Sequence, residues 1–322
     1  MRRDNIAFVR YVIIRFLFLI ISVFFTLTLV FIATRVAHLN IWSRDLRFPH
    51  SFGYVFNEYT QYLTNIITKW DWGTWKYPDN RPVMEVLAER APITIKLNLI
   101  AFAFYFSFGI SLGIISAIKV GSWFDKVSNG FFIVVGSIPS FIWIFVLILV
   151  FGYMIPILPP QPPSVQTPLY WQLLGWVMPV LALSLAPIAK FATMMRNELV
   201  DNLNNEHLLL LRTKGLTRRQ AITRHLIRES FIPVMPEIAP TFVFVVVGSF
   251  FVEQIYNMSG ASWLFLRSMF APGYGSWYIT IHTPMTVLIS VFYATFTLVF
   301  LFFVDLMYAI VDPRVSVIKP KR

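Results

Sequence analysis

The chain has 322 residues, 57% of them hydrophobic and only 13% charged, with a mean hydropathy of +0.66. That balance excludes an ordinary soluble domain and implies a polytopic membrane protein. The absence of cysteine excludes disulfides, thiolate metal sites and cysteine nucleophiles, while the net charge of +11 calls for an anionic partner, either a membrane surface or nucleic acid.

A helix of about 20 apolar residues crosses the hydrocarbon core. Six stretches meet that length, at roughly 13–36, 94–118, 129–155, 172–194, 234–256 and 284–311. The first follows Arg2 and Arg3, as a signal peptide would. Its apolar part, Phe16 to Ala33, is longer than a usual signal core and lacks a small-x-small cleavage site, so it reads as an uncleaved anchor. The next stretch, 38–92, is rich in Trp, Tyr and Asn and is expected as a long outer loop. Apolar residues at 83, 86 and 87 give its end a helical spacing, suited to lying along the outer interface.

In the second span, Gly109 and Gly113, followed by Ser116 and Ala117, form a small-residue face that allows close helix approach. Pro139 in the third span and Pro284 at the start of the sixth mark kinks or helix starts. The fourth span is interrupted by Pro179 and Pro187, which neighbouring helices can accommodate. No internal repeat is visible, which argues against an inverted-repeat carrier.

Six spans place both termini on one side. Eighteen of the 27 Lys and Arg fall on that side, eight of them from Lys190 to Arg228, and the basic side is expected to be cytoplasmic. Because these cations lie between apolar runs, they fit a membrane surface better than nucleic acid.

The stretch from Arg196 to Ile232 is longer than a simple connection requires. Thr217 is a good N-cap, and Gln220 three residues on completes a capping box, with Leu216 and Ala221 in the staple positions. Ile222, Leu226 and Ile227 give an apolar stripe among Arg218, Arg219, Arg224 and Arg228. Gly215 permits a turn from the preceding helical half, and Pro233 closes the second. Taken alone, these residues suit either a basic helix lying on the inner leaflet or a surface for another protein.

Glu253 and Asp305 are ionisable residues inside expected spans and therefore functional candidates, with pairing to a neighbouring helix as the simpler role. His38, His50, His207, His225 and His282 are scattered without ligand spacing. No phosphate-loop motif, Gly-x-Ser-x-Gly elbow or His-Glu-x-x-His occurs, so neither ATP binding by that loop nor an intramembrane enzyme is supported.

The stretch from Glu206 to Pro233 resembles the cytoplasmic signature of ABC-importer permeases, closest to the oligopeptide/dipeptide branch. The matching positions are Glu206, Arg212, Lys214, Gly215, Leu216, Arg219, Arg224, His225, Arg228, Ile232 and Pro233. Further blocks resemble the family in order and spacing: Arg81-Pro82-Val83 with Glu89-Arg90 and Thr94, Gly121 to Asp125, Ser137 to Phe141, Val252-Glu253 with Tyr256-Asn257 and Gly260, and Asp305 to Arg314. The chain departs from the pattern at Leu209, Leu210 and Leu211, which leave a greasier docking surface, and at Ser259, where the family usually has proline.

The resemblance implies an all-α polytopic protein with six spans in the type I ABC-importer permease architecture, one permease domain over 1–322. Coupling helices would lie between spans four and five, in a bacterial cytoplasmic membrane with both termini inside. It further implies a homologous second permease, two cytoplasmic ATPases that carry ATP and Mg, an extracytoplasmic peptide-binding protein and a peptide substrate. No cofactor is expected on this chain. Glu206, Arg212, Lys214, Gly215, Leu216, Thr217, Arg219, His225 and Pro233 would couple to the ATPases, with Glu253 a candidate for the substrate pathway. The alternatives are a nickel-chelate importer of the same family and an ATPase-independent secondary carrier or channel.

Overall fold

Apolar runs too long for a soluble core fold here into long helices. The computed structural model describes residues 2–42, 48–75, 80–164, 166–204, 206–273, 276–279 and 281–311. Its helices are α1 (Arg2–Trp42), α2 (Phe48–Lys69), α3 (Val83–Ile118), α4 (Trp123–Gly136), α5 (Ser140–Leu147), α6 (Leu169–Leu174), α7 (Val177–Asn204), α8 (Glu206–Thr213), α9 (Arg218–Ala221), α10 (Ile227–Phe231), α11 (Ile238–Ile255), α12 (Ala261–Met269) and α13 (Thr283–Val311). Two antiparallel hairpins accompany them, β1 (Thr74–Trp75) with β2 (Arg81–Pro82), and β3 (Phe270–Gly273) with β4 (Ser276–Ile279).

Among the described residues, five helical stretches are long and apolar enough to cross a membrane, and a bent pair makes a sixth. The protein is thus an all-α multi-pass membrane protein. The bent pair corrects the expected third span. Instead of one rod over 129–155, α4 and the helix begun by α5 meet at 103°. Ser137 caps the end of α4, and Pro139 stands as the N-cap of α5 with ψ 149°, a conformation outside the helical region. Proline lacks the N–H and the space to continue a helix, so the chain turns there. The fourth span, by contrast, runs through Pro187 without a break, and Pro179 falls in the first turn of α7, where proline costs little.

Packing groups the chain into two units, Met1–Ile95 with Met258–Phe303, and Lys96–Asn257 with Val304–Arg322. In the first unit α1 packs on α2. Phe31 stacks on Tyr62 at 5.0 Å between ring centroids, the Thr28 and Tyr59 hydroxyls share a hydrogen bond of 2.5 Å, and Arg35 pairs with Glu58. The 38–92 stretch, expected as a loop, therefore carries a helix of 22 residues. Its inward residues Val55, Tyr59, Tyr62, Leu63 and Ile66 have helical spacing, and the last four join a core with Trp72, Leu87, Leu264 and Leu288. The block before the second span ties this unit together. Arg81 pairs with Glu89 at 2.5 Å, the Arg90 guanidinium lies 5.2 Å above Trp263, and Ala261 N donates to Thr94 Oγ1 at 2.9 Å.

In the second unit α7 is the central helix, with α3, α4, α5 and α11 packed about it. Phe191, Met195 and Leu199 are fully buried along it. The small-residue face of α3 meets this helix as expected: a Cβ placed on Gly109 would lie 2.8 Å from Phe191 Cβ, and one on Gly113 2.6 Å from the Ala192 carbonyl oxygen.

Candidate functional site

The segment between α7 and α11 folds as an elbow built from strong local signals. Its first arm, α8, ends in a Schellman motif. Leu216 N donates to Leu211 O at 3.3 Å, and Gly215 N donates to Arg212 O at 3.0 Å. This closure requires a left-handed residue, and Gly215 supplies it with φ +86°. Leu211 and Leu216 pack together beneath the turn, the apolar contact that accompanies the motif. The second arm then begins on the expected capping box. Gln220 N donates to Thr217 Oγ1 at 3.3 Å, and Thr217 N donates to Gln220 Oε1 at 3.0 Å.

The second arm is not a uniform α-helix. Between α9 and α10, residues Ile222–Leu226 form a π-turn in which Ile227 N reaches back to Ile222 O. That wider turn accounts for an apolar stripe at i, i+4 and i+5, because i→i+5 bonding brings those positions onto one side. Ala221, Ile222 and Leu226 are buried by it, and Arg218, Arg219, Arg224, His225 and Arg228 remain exposed. α10 ends at Phe231, two residues before Pro233.

Neither arm stands alone. Ala221, Ile222 and Leu226 close a small core with Ile114 and Ala117 from the end of α3 and Leu199, Val200 and Leu203 from the end of α7. Asn202 Nδ2 donates to Ser230 Oγ at 2.8 Å, tying α7 to α10. The elbow thus rests on the ends of two spanning helices through packed side chains. The three leucines that depart from the family pattern divide. Leu211 is core, whereas Leu209 and Leu210 are 62% and 53% exposed. The greasier surface is therefore two residues wide, not three.

Of the residues singled out by sequence, Glu206 opens α8 and is exposed, as are Arg212, Lys214, Arg219, His225 and Pro233. Leu216 is half-buried in the core, and Gly215 and Thr217 form the corner itself. Glu253 lies apart from them, fully buried in α11, and Asp305 is half-buried in α13. Asp312, Pro313, Arg314 and the remaining tail lie outside the described residues.

Sequence reasoning missed the group that locks the base of the elbow. Asp125 is buried at the start of α4, and Arg196 grips it with two bonds, Nε to Oδ1 at 2.6 Å and Nη2 to Oδ2 at 2.8 Å. Ser116 Oγ donates to the same carboxylate at 2.6 Å, Gly121 N at 2.9 Å and Asn129 Nδ2 at 3.2 Å. A buried carboxylate is tolerated only when its lone pairs are filled in this way. The signal was present in the lone acid of the Gly121–Asp125 block and in Arg196, the first cation of the elbow stretch. A second missed pair, Lys190 with Glu237, joins α7 to the turn before α11 at 2.7 Å. Lys190, counted above with the inner loop, lies well inside α7.

The arrangement presents a basic, partly apolar corner seated on the ends of two spanning helices. Residues 109–317 match the family described as binding-protein-dependent transport system inner membrane component. The oligopeptide transport system permease protein OppB of Haemophilus influenzae is 29% identical over 81% of this chain and 80% of its own length. The dipeptide transport system permease protein DppB of Lactococcus lactis is 28% identical over 95% of this chain and 99% of its own. DppB of Bacillus subtilis is 27% identical over 84% of this chain and 81% of its own. The chain belongs to the family of binding-protein-dependent transport inner membrane components.

Proposed function

We propose that this chain is one permease half of an ATP-driven importer of oligopeptides or dipeptides, and that the elbow is its coupling joint to a cytoplasmic ATPase. A homologous permease would complete the pathway, and a binding protein would deliver peptide from outside. ATP and Mg would be held by the ATPase subunits, with both termini of this chain in the cytoplasm. The observation that carries the reading is the seating of the elbow. Its buried face is fixed to the ends of α3 and α7, while Arg212, Lys214, Gly215 and Thr217 at the corner, flanked by Leu209 and Leu210, face outward.

Physically, the joint has one task. ATP binding must favour one arrangement of the spans over another, and the elbow must carry that difference as a body that does not itself deform. The capping box, the Schellman closure and the Asp125–Arg196 clamp supply that stiffness. A free amphipathic helix on the leaflet would need no core against the ends of two spans. The relatives named for oligopeptide and dipeptide transport support a peptide cargo over a nickel chelate.

The chain contains no cysteine, so Lys214→Cys introduces a single thiol at the corner. In native membranes a short bifunctional cross-linker at that thiol is expected to capture a nucleotide-hydrolysing subunit, with yield that changes between ATP-bound and nucleotide-free states. Capture of lipid alone would overturn the coupling role.

A further inference from the structure

Trp263 and Arg267 stand four residues apart on α12 and therefore share one face of it. The other face is seated, with Ala261, Ser262, Leu264 and Ser268 buried, and Ser268 Oγ shares a hydrogen bond of 2.8 Å with Thr286 Oγ1 of α13. The Arg267 guanidinium carbon lies 3.8 Å from the centroid of the Trp263 ring. Arg90, near the start of α3, brings a second guanidinium to that indole at 5.2 Å and donates to Ser259 O at 3.5 Å.

One indole thus gathers cations from two elements. Glu85 and Glu89, which precede Arg90 on α3, both pair with Arg81, and among the described residues no carboxylate pairs with Arg90 or Arg267. A guanidinium stacked on a ring keeps its N–H edge free and its plane fixed, ready to take a carboxylate through two parallel hydrogen bonds. Arg267 is exposed and Arg90 half-buried, so the first is open to a partner and the second adds its charge close by. The stack lies on the side away from the elbow. Arg90 is near the start of α3, whereas Ile114 and Ala117, which seat the elbow, are near its end, and a spanning helix puts its two ends on opposite faces of the membrane.

We propose that the Arg90–Trp263–Arg267 stack is a docking anchor for an acidic patch on the extracytoplasmic binding protein, with Arg267 gripping an aspartate or glutamate side chain of that partner. The family to which the chain belongs is described as binding-protein-dependent, so the face away from the elbow has a protein to receive. A mobile lipid headgroup gains little from two cations fixed on a seated helix. A folded partner brings its acid at a fixed position and gains from the fixed arginine, because neither side then has to be ordered on contact. The inference rests on the reading of this chain as an importer permease with the elbow inside.

The test uses the complete importer in nanodiscs of neutral phosphatidylcholine, and its affinity for its own peptide-loaded binding protein is measured at low and high salt. Arg267→Gln is expected to weaken binding about ten-fold at low salt and to flatten its salt dependence, and Arg267→Glu to weaken it further. Arg267→Lys, which keeps the charge without the planar fork, should fall between the parent and Arg267→Gln. A binding protein with one surface acid changed to lysine should restore binding to the Arg267→Glu importer. Should the Arg267 variants fail to assemble, Arg90→Gln decides by the same measurement. Unchanged affinity in Arg267→Glu, or no rescue by any acid-to-lysine change on the binding protein, overturns the anchor. A loss seen only in nanodiscs of anionic lipid also overturns it and gives the stack to the headgroups. If the unmodified importer binds no loaded binding protein, the importer reading itself falls, and this inference with it.

Discussion

At the contact of α3 with α7, a Cβ on Gly113 would lie 2.6 Å from the Ala192 carbonyl oxygen and 2.9 Å from Met195 Cβ; at the elbow, one on Gly215 would meet nothing within 4 Å. Gly113 sits in regular helix, whereas Gly215 has φ +86°. The first glycine is there because two backbones need the space, the second because the chain must turn through a conformation that other residues adopt reluctantly. The helix seam is thus a matter of fit between elements distant in sequence, and the elbow a matter of conformation within a few residues. The two regions should fail differently when altered.

The largest effect is expected at the end of the seam, where Asp125 and Arg196 hold α4 to α7. Arg196→Met leaves a buried carboxylate with hydroxyl, amide and backbone donors but no cation, a loss of about 3–5 kcal/mol. Thermal unfolding of the purified protein in detergent should show a large drop or no folded protein at all. The pair Arg196→Met with Asp125→Leu should recover much of that loss, since an apolar pair avoids the stranded charge. A single variant as stable as the parent would mean that water reaches Asp125.

Next comes the seam itself. Gly113→Ala forces the α3 and α7 backbones apart and is expected to cost about 1–3 kcal/mol by overpacking. The same replacement at Gly130, where a Cβ would meet nothing within 4 Å, should cost no stability. Melting curves of the two variants side by side check the contrast, and equal behaviour would sink the claim that space is the constraint at Gly113.

What could be foreseen follows the same division. The capping box and the turn at Gly215 depend on residues within one or two helical turns, so a single sequence displays them. The small-residue face was legible as a face, though not its partner, since nothing near Gly109 points to Phe191. Pairs such as Asp125 with Arg196 and Lys190 with Glu237 join residues 71 and 47 positions apart, and one sequence carries no record of such pairing. The third span misled because apolar composition measures length and not direction. Pro139 announced a break, yet the 103° turn depends on how α5 packs against α7 and α11. The helix α2 was legible and overlooked, because its aromatic stripe sits in a stretch rich in turn-forming and polar residues.

The smallest change in stability, and the sharpest separation of the two regions, is expected at Gly215. Placing an ordinary residue at positive φ costs about 1 kcal/mol, because its Cβ crowds the following carbonyl. Gly215→Ala should therefore lower the melting temperature only slightly while it loosens the Schellman closure. Asparagine tolerates the left-handed region, so Gly215→Asn should be close to neutral even though its side chain is larger. Valine, branched at Cβ, should be worst. That ranking, Asn above Ala above Val, is the reverse of a steric order between the first two. At Gly113 the order must be steric, with Ala above Asn and Val. Transport measured at matched membrane levels should follow the Gly215 ranking more steeply than stability does, since the closure that weakens is the one proposed to carry the stroke. Equal transport by the Asn, Ala and Val variants would show that the corner need not be stiff.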